Sequence, residues 1–211
     1  MIAIIDYQAG NLTSVFRALR FLKQDCQITH DYEVLRHASH IIFPGVGAAG
    51  EAMSNLRQTG LDKIIIRLAQ SGKPFLGICL GTQIIFDYSE ENDTPCLGII
   101  AGKVKRFPEN MTCDDLKLKI PHMGWNSVSF QKSHPVFQGI PENAEFYFVH
   151  SFFPVPDHKE NILGRTHYGI EFPSAVVANN VIAVQFHPEK SGKPGLAILD
   201  NFCKWRGTDA E

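Results

Sequence analysis

The 211-residue chain contains no Cys-x-x-Cys pair, no apolar run long enough to span a bilayer, and no surplus of basic charge. Its five cysteines (Cys26, Cys79, Cys96, Cys113 and Cys203) are odd in number and scattered, which argues against a disulfide frame or a zinc knuckle and for a reducing cytosol. A membrane helix needs about 20 consecutive apolar residues, and none occur together here. The opening run Met1-Ile2-Ala3-Ile4-Ile5-Asp6 has no basic residues ahead of it, so it reads as a first core strand and not as a signal peptide. A net charge of -2 leaves no electrostatic footprint for nucleic acid. The basic residues from Lys103 to Arg106 and from Lys117 to Lys119 read as solvated strand faces. Acidic residues and histidines lack metal-ligand spacing, so neither a metal nor another cofactor is expected.

What is present is a generous apolar fraction, 44%, in a length that predicts one domain over residues 1–211. The first half alternates short apolar runs with stretches of helical period. Strands are expected at Ile2 to Ile5, Cys26 to Thr29, His40 to Phe43 and Pro74 to Ile78. Helices are expected after Asn11 (as N-cap), at Ala49 to Gln58, at Leu61 to Gln70, and from Thr82 to Tyr88. This order predicts an α/β fold with a central, mostly parallel sheet flanked by helices. Chemistry belongs where strand C-termini meet helix N-termini. Later segments, at Leu97 to Ile100, Gly102 to Phe107, Leu116 to Ile120, Ser127 to Phe130, Glu145 to His150, Ile162 to Tyr168, Ser174 to Asn179 and Val181 to Phe186, read as short strands. They predict antiparallel strands added to the edge of the same sheet, with a tight turn at Asn179-Asn180 and a closing helix from Gly195 to Trp205.

Gly77-Ile78-Cys79-Leu80-Gly81 places a cysteine at the apex of a strand-to-helix turn. Flanking glycines let the chain reverse and its neighbours approach, and the helix N-terminus favours a thiolate. Val184-Gln185-Phe186-His187-Pro188-Glu189 is an apolar strand running into His-x-Glu. In an extended segment these two side chains share a side, so the carboxylate can hold one ring nitrogen while the other faces a thiol. Pro44-Gly45-Val46-Gly47 ends another strand, and an amide at Val46 together with that of Leu80 forms a candidate oxyanion hole. Val46 is β-branched and resists positive φ, so turning its amide inward falls to the glycines beside it. A free chain resting with that donor averted would turn over slowly until a partner shifted the loop.

The elbow and the His-Pro-Glu segment, in this order and behind a Pro-Gly loop, resemble the triad-type (class I) glutamine amidotransferases over nearly the whole chain. Pro44-Gly45-Val46-Gly47, Pro121-His122-Met123-Gly124-Trp125-Asn126, Phe146-Tyr147-Phe148-Val149-His150-Ser151 and Gln185 to Ser191 are together similar to the glutaminase subunits of imidazole glycerol phosphate synthases. Relatives serving GMP or pyridoxal phosphate synthesis usually carry Pro-Gly-Gly where this chain has Pro44-Gly45-Val46. Ala48-Ala49-Gly50 departs from the Ala-Phe often found there, which bears on how the next helix packs.

The resemblance implies a class I amidotransferase-like fold in which Cys79 attacks the side-chain amide of L-glutamine, His187 moves the proton and Glu189 orients His187. It also implies that Gly47, Gln83, Glu91, Ser151 and Phe152 hold the glutamine. Trp125, in a loop between strands, would help dock a separate (β/α)₈ cyclase subunit in a cytoplasmic heterodimer that uses the ammonia for histidine biosynthesis. No nucleic acid or membrane partner is implied. A γ-glutamyl hydrolase, a glutaminase serving another synthase and a non-catalytic interaction module remain open at this point. Labelling of Cys79 by a glutamine-like chloroketone separates enzyme from module, and capture of a barrel cyclase separates the enzymes.

Overall fold

The computed structural model describes residues 1–8, 10–113 and 116–207. From sequence, 108–115 reads as a polar loop with an exposed Cys113; Thr112–Cys113 is instead a short strand, and residues 114 and 115 and the Cys113 side chain lie outside what is described.

Apolar runs buried on both faces, at 2–5, 41–43 and 75–79, build most of the first strands, as a sheet covered by helices on either side requires. In chain order these elements are β1 (Ile2–Ile5), α1 (Leu12–Phe21), β2 (Cys26–Thr29), α2 (Tyr32–His37) and β3 (His40–Gly45). Then come α3 (Ala49–Thr59), α4 (Leu61–Gln70) and β4 (Phe75–Cys79). Asp31 caps α2 by accepting from the amides of Glu33 and Val34, at 2.7 and 3.3 Å. Gly60, at φ 73°, ends α3 and begins α4.

After β4 the helix α5 (Leu80–Ile84) is only five residues long and does not continue to Tyr88. The amides of Leu97, Gly98 and Ile99 bond the carbonyls of Ile84, Phe86 and Ile85 at 3.0, 2.8 and 2.8 Å. This loop occupies acceptors that another helical turn would need. The same bonds explain why Leu97 to Ile100 is not the strand its apolar residues suggest.

Short strands follow: β5 (Tyr88–Ser89), β6 (Thr94–Pro95), β7 (Gly102–Arg106), β8 (Thr112–Cys113) and β9 (Leu116–Lys117). Next are β10 (His122–Ser127), β11 (Ser129–Phe130), β12 (Glu145–His150) and β13 (Phe152–Pro156). The chain closes with β14 (Ile162–Tyr168), β15 (Ile170–Ala178), β16 (Val181–Val184) and α6 (Gly192–Lys204).

Eight strands form the main sheet in the order β11-β14-β15-β16-β4-β3-β1-β2. From β16 to β2 all neighbours are parallel, and from β11 to β16 all are antiparallel. The turn between β15 and β16 is tight, with Asn179 at φ 52°. The expectation that every later strand joins this sheet is corrected for β10 with β12, for β13-β7-β5-β6 and for β8 with β9, which form separate sheets. Aromatic packing is the reason for the first of these. The inward face of β12 lays Phe146 against Phe186 at 4.3 Å and Phe148 against Phe172 at 6.2 Å, so β12 covers the main sheet as a second layer. Trp125 is correspondingly in a strand and not in a loop: it lies in β10, opposite Tyr147.

Alternation along the strands divides the core in two. Ile2, Ile4, Ile42, Leu76, Ile78, Ile182 and Val184 face one side; Ala3, Ile5, Ile41, Phe43, Phe75 and Ala183 face the other. Each fully buried Ile or Phe contributes about 1.5–3 kcal/mol, and both layers clamp β4 at the sheet's centre. Among the described residues no helix is long and apolar enough to cross a membrane.

Candidate active site

Cys79 ends β4 with φ 53° and ψ -106°, a conformation that non-glycine residues avoid and that costs on the order of 1–3 kcal/mol. Close approach holds it there. A Cβ on Gly81 would sit 1.8 Å from the Phe43 carbonyl oxygen, and one on Gly77 would sit 3.0 Å from Ala183 Cβ. Only glycines permit strand and helix to meet so closely around the sulfur. In the β3–β4 register Gly45 lies opposite Cys79, so the Pro44 to Gly47 loop arrives beside the thiol. As the first residue of α5, Leu80 has no helical acceptor for its amide.

His187 lies beyond the end of β16. Its amide donates to the Tyr147 carbonyl at 2.9 Å, and its own carbonyl accepts from Ser191 Oγ at 2.6 Å. His187 and Glu189 are not in an extended segment, as the sequence suggests. The strand ends at Val184, and Pro188–Lys190 forms a 3₁₀ turn closed by the bond from the Lys190 amide to the His187 carbonyl at 3.0 Å. That turn folds the carboxylate back, placing Glu189 Oε1 2.8 Å from His187 Nδ1. Neither side chain is exposed. Nδ1 therefore donates to the carboxylate, and Nε2, which has no hydrogen-bond partner among the described residues, is the nitrogen left to exchange a proton with the sulfur and the substrate. Burial opposes a charge on the ring, but Cys79 and then Glu189 outweigh it and raise its pKa to about 10. The ring is thus held protonated beside the sulfur at neutral pH.

Two residues of this site escape sequence reasoning. Asn11, expected to cap α1, makes no capping bond; it adopts φ 74° and donates from Nδ2 to Glu189 Oε1 at 2.6 Å. Its signal was a Gly-Asn in the loop between β1 and α1, where asparagine tolerates the left-handed region. Gln185, wholly buried, donates from Nε2 to Cys79 Sγ at 3.8 Å. Its signal was a lone amide in an apolar run.

A cavity of about 240 Å³ opens on Cys79 and is lined by Val46, Gly47, Leu80, Gln83 and Glu91, with Pro121 and Val149 to Phe152 closing it. All five residues expected to hold glutamine, and both expected oxyanion residues, meet there. Gln83 donates from Nε2 to the Phe152 carbonyl at 3.0 Å and to Gln185 Oε1 at 3.1 Å, which leaves its own carbonyl for a ligand. Glu91 is also a structural group: its Oε2 accepts from the Ala49 amide at 2.7 Å, securing the start of α3 where Ala48-Ala49-Gly50 departs from the usual residues. The Ser151 carbonyl accepts from the Phe107 amide at 3.0 Å.

Behind this wall His150 Nδ1 lies 2.7 Å from the Phe152 carbonyl and His150 Nε2 lies 3.0 Å from His122 Nδ1. Burial, then His122, hold the pKa of His150 down at about 3. Burial holds that of His122 at about 4. Both rings are neutral spacers and not acids. Trp125 does not line the cavity; its ring lies edge-on to Tyr147 at 6.1 Å, the Tyr147 ring lies 6.4 Å from that of His187, and Trp125 is 54% exposed beside Met123, at 62%.

The class-I glutamine amidotransferase family model matches residues 3–205. A protein of Nitratidesulfovibrio vulgaris strain DP4 named imidazole glycerol phosphate synthase subunit HisH is 50% identical over 206 residues, covering 97% of this chain and 96% of that protein. One of the same name from Dehalococcoides mccartyi is 47% identical, covering 97% of each chain. Among solved structures, PurLQS of Thermotoga maritima superposes with a TM-score of 0.73 at 17% identity, covering 96% of this chain and 97% of that one. A glutamine amidotransferase of the same organism superposes with a TM-score of 0.69 at 14% identity, covering 96% of each chain.

Proposed function

The chain belongs to the class-I glutamine amidotransferases, and from that premise we propose that Cys79, His187 and Glu189 are its catalytic triad. Its function is that of the glutaminase subunit of imidazole glycerol phosphate synthase, which splits glutamine into glutamate and ammonia for histidine biosynthesis. One observation carries the assignment of roles: Nδ1 of His187 is engaged by Glu189 at 2.8 Å, while Nε2 has no partner among the described residues and the ring interacts electrostatically with Cys79, which lines the cavity.

The sulfur of Cys79 attacks the side-chain amide carbon of glutamine. The oxygen becomes an oxyanion received by the amides of Val46 and Leu80, a pair in which one donor is worth about a hundred- to a thousandfold in turnover. His187 gives its proton to the amide nitrogen, the carbon–nitrogen bond breaks and ammonia leaves a thioester. Water then attacks, His187 takes its proton, and glutamate departs as the sulfur is released. Gly47, Gln83, Glu91, Ser151 and Phe152 hold the rest of the substrate. As a synthase subunit the chain works with another. We take that partner to be a (β/α)₈ cyclase in a cytoplasmic heterodimer, docking where Trp125 is exposed, with residues 1–211 acting as one domain.

The test is glutaminase activity of the chain alone and with the cyclase and its nucleotide ligand, followed by chloroketone labelling. Ammonia release stimulated by the loaded cyclase, with label on Cys79, is the expected result. Undiminished activity after Cys79→Ala would overturn the reading.

A further inference from the structure

We propose that the side-chain amide of Gln185 is a catalytic hydrogen-bond donor that stabilises the Cys79 thiolate, and that Gln83 fixes which end of that amide faces the sulfur. The proposal rests on Cys79 being the nucleophile.

The orientation of both amides follows from a backbone carbonyl, which can only accept. Gln83 must present its NH₂ to the Phe152 oxygen, 3.0 Å away. Its second hydrogen reaches Gln185 at 3.1 Å, so the group of Gln185 on that side is the acceptor Oε1. Nε2 of Gln185 is then the end that lies 3.8 Å from Cys79 Sγ. Turning Gln185 over would oppose two NH₂ groups and leave a buried donor unpaired. His150 backs the same carbonyl from Nδ1 at 2.7 Å, and the backbone N–H of Gln185 donates to the Ser174 carbonyl at 2.9 Å. The donor is therefore preorganised and wholly buried.

The sulfur's other hydrogen-bond neighbour is the Val149 carbonyl at 4.0 Å, an acceptor that serves a thiol proton and repels a thiolate. Loss of the proton to His187 shifts the useful partner from Val149 to Gln185, whose bond strengthens as the sulfur charges. The titratable groups that face the sulfur are His187 and Tyr7. The Tyr7 hydroxyl is held far above its ordinary range by burial and then by the charge of Cys79, so it stays neutral throughout any working pH.

The test is iodoacetamide alkylation of Cys79 as a function of pH in the full chain, which reads the sulfur without requiring glutamine turnover. Gln185→Met keeps the length and removes the donor. A lost bond of about 1.4 kcal/mol corresponds to one pH unit, so the alkylation midpoint should rise by about one unit. Glutaminase kcat/KM should fall about tenfold below the wild-type midpoint and recover as pH rises past that of the variant. Gln185→Glu, offering an acceptor, should raise the midpoint further. If Gln185→Met does not fold by circular dichroism, Gln83→Met, which frees the Gln185 amide, should move the midpoint the same way by less. A midpoint unchanged in a folded Gln185 variant, or in Gln83→Met where that is the one that folds, overturns the proposal. Turnover retained in Cys79→Ala would instead overturn the assignment of the nucleophile.

Discussion

Replacing Asn11 removes the 2.6 Å bond from its Nδ2 to Glu189 Oε1. Among the described residues Glu189 Oε2 has no partner, and the buried carboxylate is held by two donors, Asn11 Nδ2 and His187 Nδ1. With Asn11 gone, the His187 ring is the one described donor left on the carboxylate, which can rotate and lose its aim. A hydrogen bond to a charged group contributes about 1.5–3 kcal/mol, and each 1.4 kcal/mol is tenfold in rate. Part of that loss is felt equally by the resting ion pair, so kcat should fall about tenfold. KM should barely move, because Asn11 is not among the cavity's lining residues. Alanine at φ 74° adds a backbone penalty of about 1–2 kcal/mol. Asn11→Gly tolerates that φ and separates the two effects: stability is largely kept and activity is still lost. The assay is steady-state glutaminase kinetics of the cyclase complex for both variants, alone and combined with Glu189→Ala. An orienting role predicts that Asn11→Gly costs little once Glu189 is absent. Wild-type kcat in Asn11→Gly, or the same tenfold loss with and without Glu189, would refute the reasoning.

The triad itself should give a graded series in the same assay: Cys79→Ala abolishes turnover, His187→Ala nearly does, and Glu189→Ala retains the most, since an orienter contributes less than nucleophile or base. The raised pKa of His187 implies stability that is fully present below its unfolded value of about 6.5 and lost as pH climbs through about 10. Urea midpoints should decline over that window, and Cys79→Ala, which removes the main influence raising the ring's pKa, should flatten the decline and lower the imidazole titration seen by NMR. Trp125→Ala should weaken cyclase binding about thirtyfold, the loss expected of a roughly 2 kcal/mol anchor, with unstimulated glutaminase activity intact; calorimetric titration decides. Gly81→Ala drives a Cβ to 1.8 Å from the Phe43 carbonyl oxygen, a clash with backbone that no rotamer relieves. It should lose about 1–3 kcal/mol of stability in a denaturant melt, and with it the elbow's activity.

Much of the site was legible because its signals are local. Gly77-x-Cys79-x-Gly81 marks an elbow by composition alone, and the structure shows the approach distances that demand those glycines. The apolar runs of β1, β3 and β4 needed no context either, since burial on both faces leaves only apolar residues. Where the sequence misled, a competing tertiary bond won. The loop at Leu97 to Ile99 took the carbonyls that would have lengthened α5. A 3₁₀ turn, not an extended strand, brought Glu189 to His187. Aromatic packing on Phe172 and Phe186 lifted β12, and with it Trp125 on β10, out of the main sheet into a layer of their own.

The sequence by itself determined the chemistry available, a cysteine at a strained turn with a histidine and a carboxylate following, because those residue types and their short-range neighbours are written into the chain. Only the tertiary structure decided which side chains complete that chemistry. Asn11 and Gln185 approach Glu189 and Cys79 from 178 and 106 residues away, and no local pattern encodes a hydrogen bond made across such a span. Their roles arise from the parallel ordering of β1, β3, β4 and β16, which brings the C-terminal ends of distant strands to one edge of the sheet.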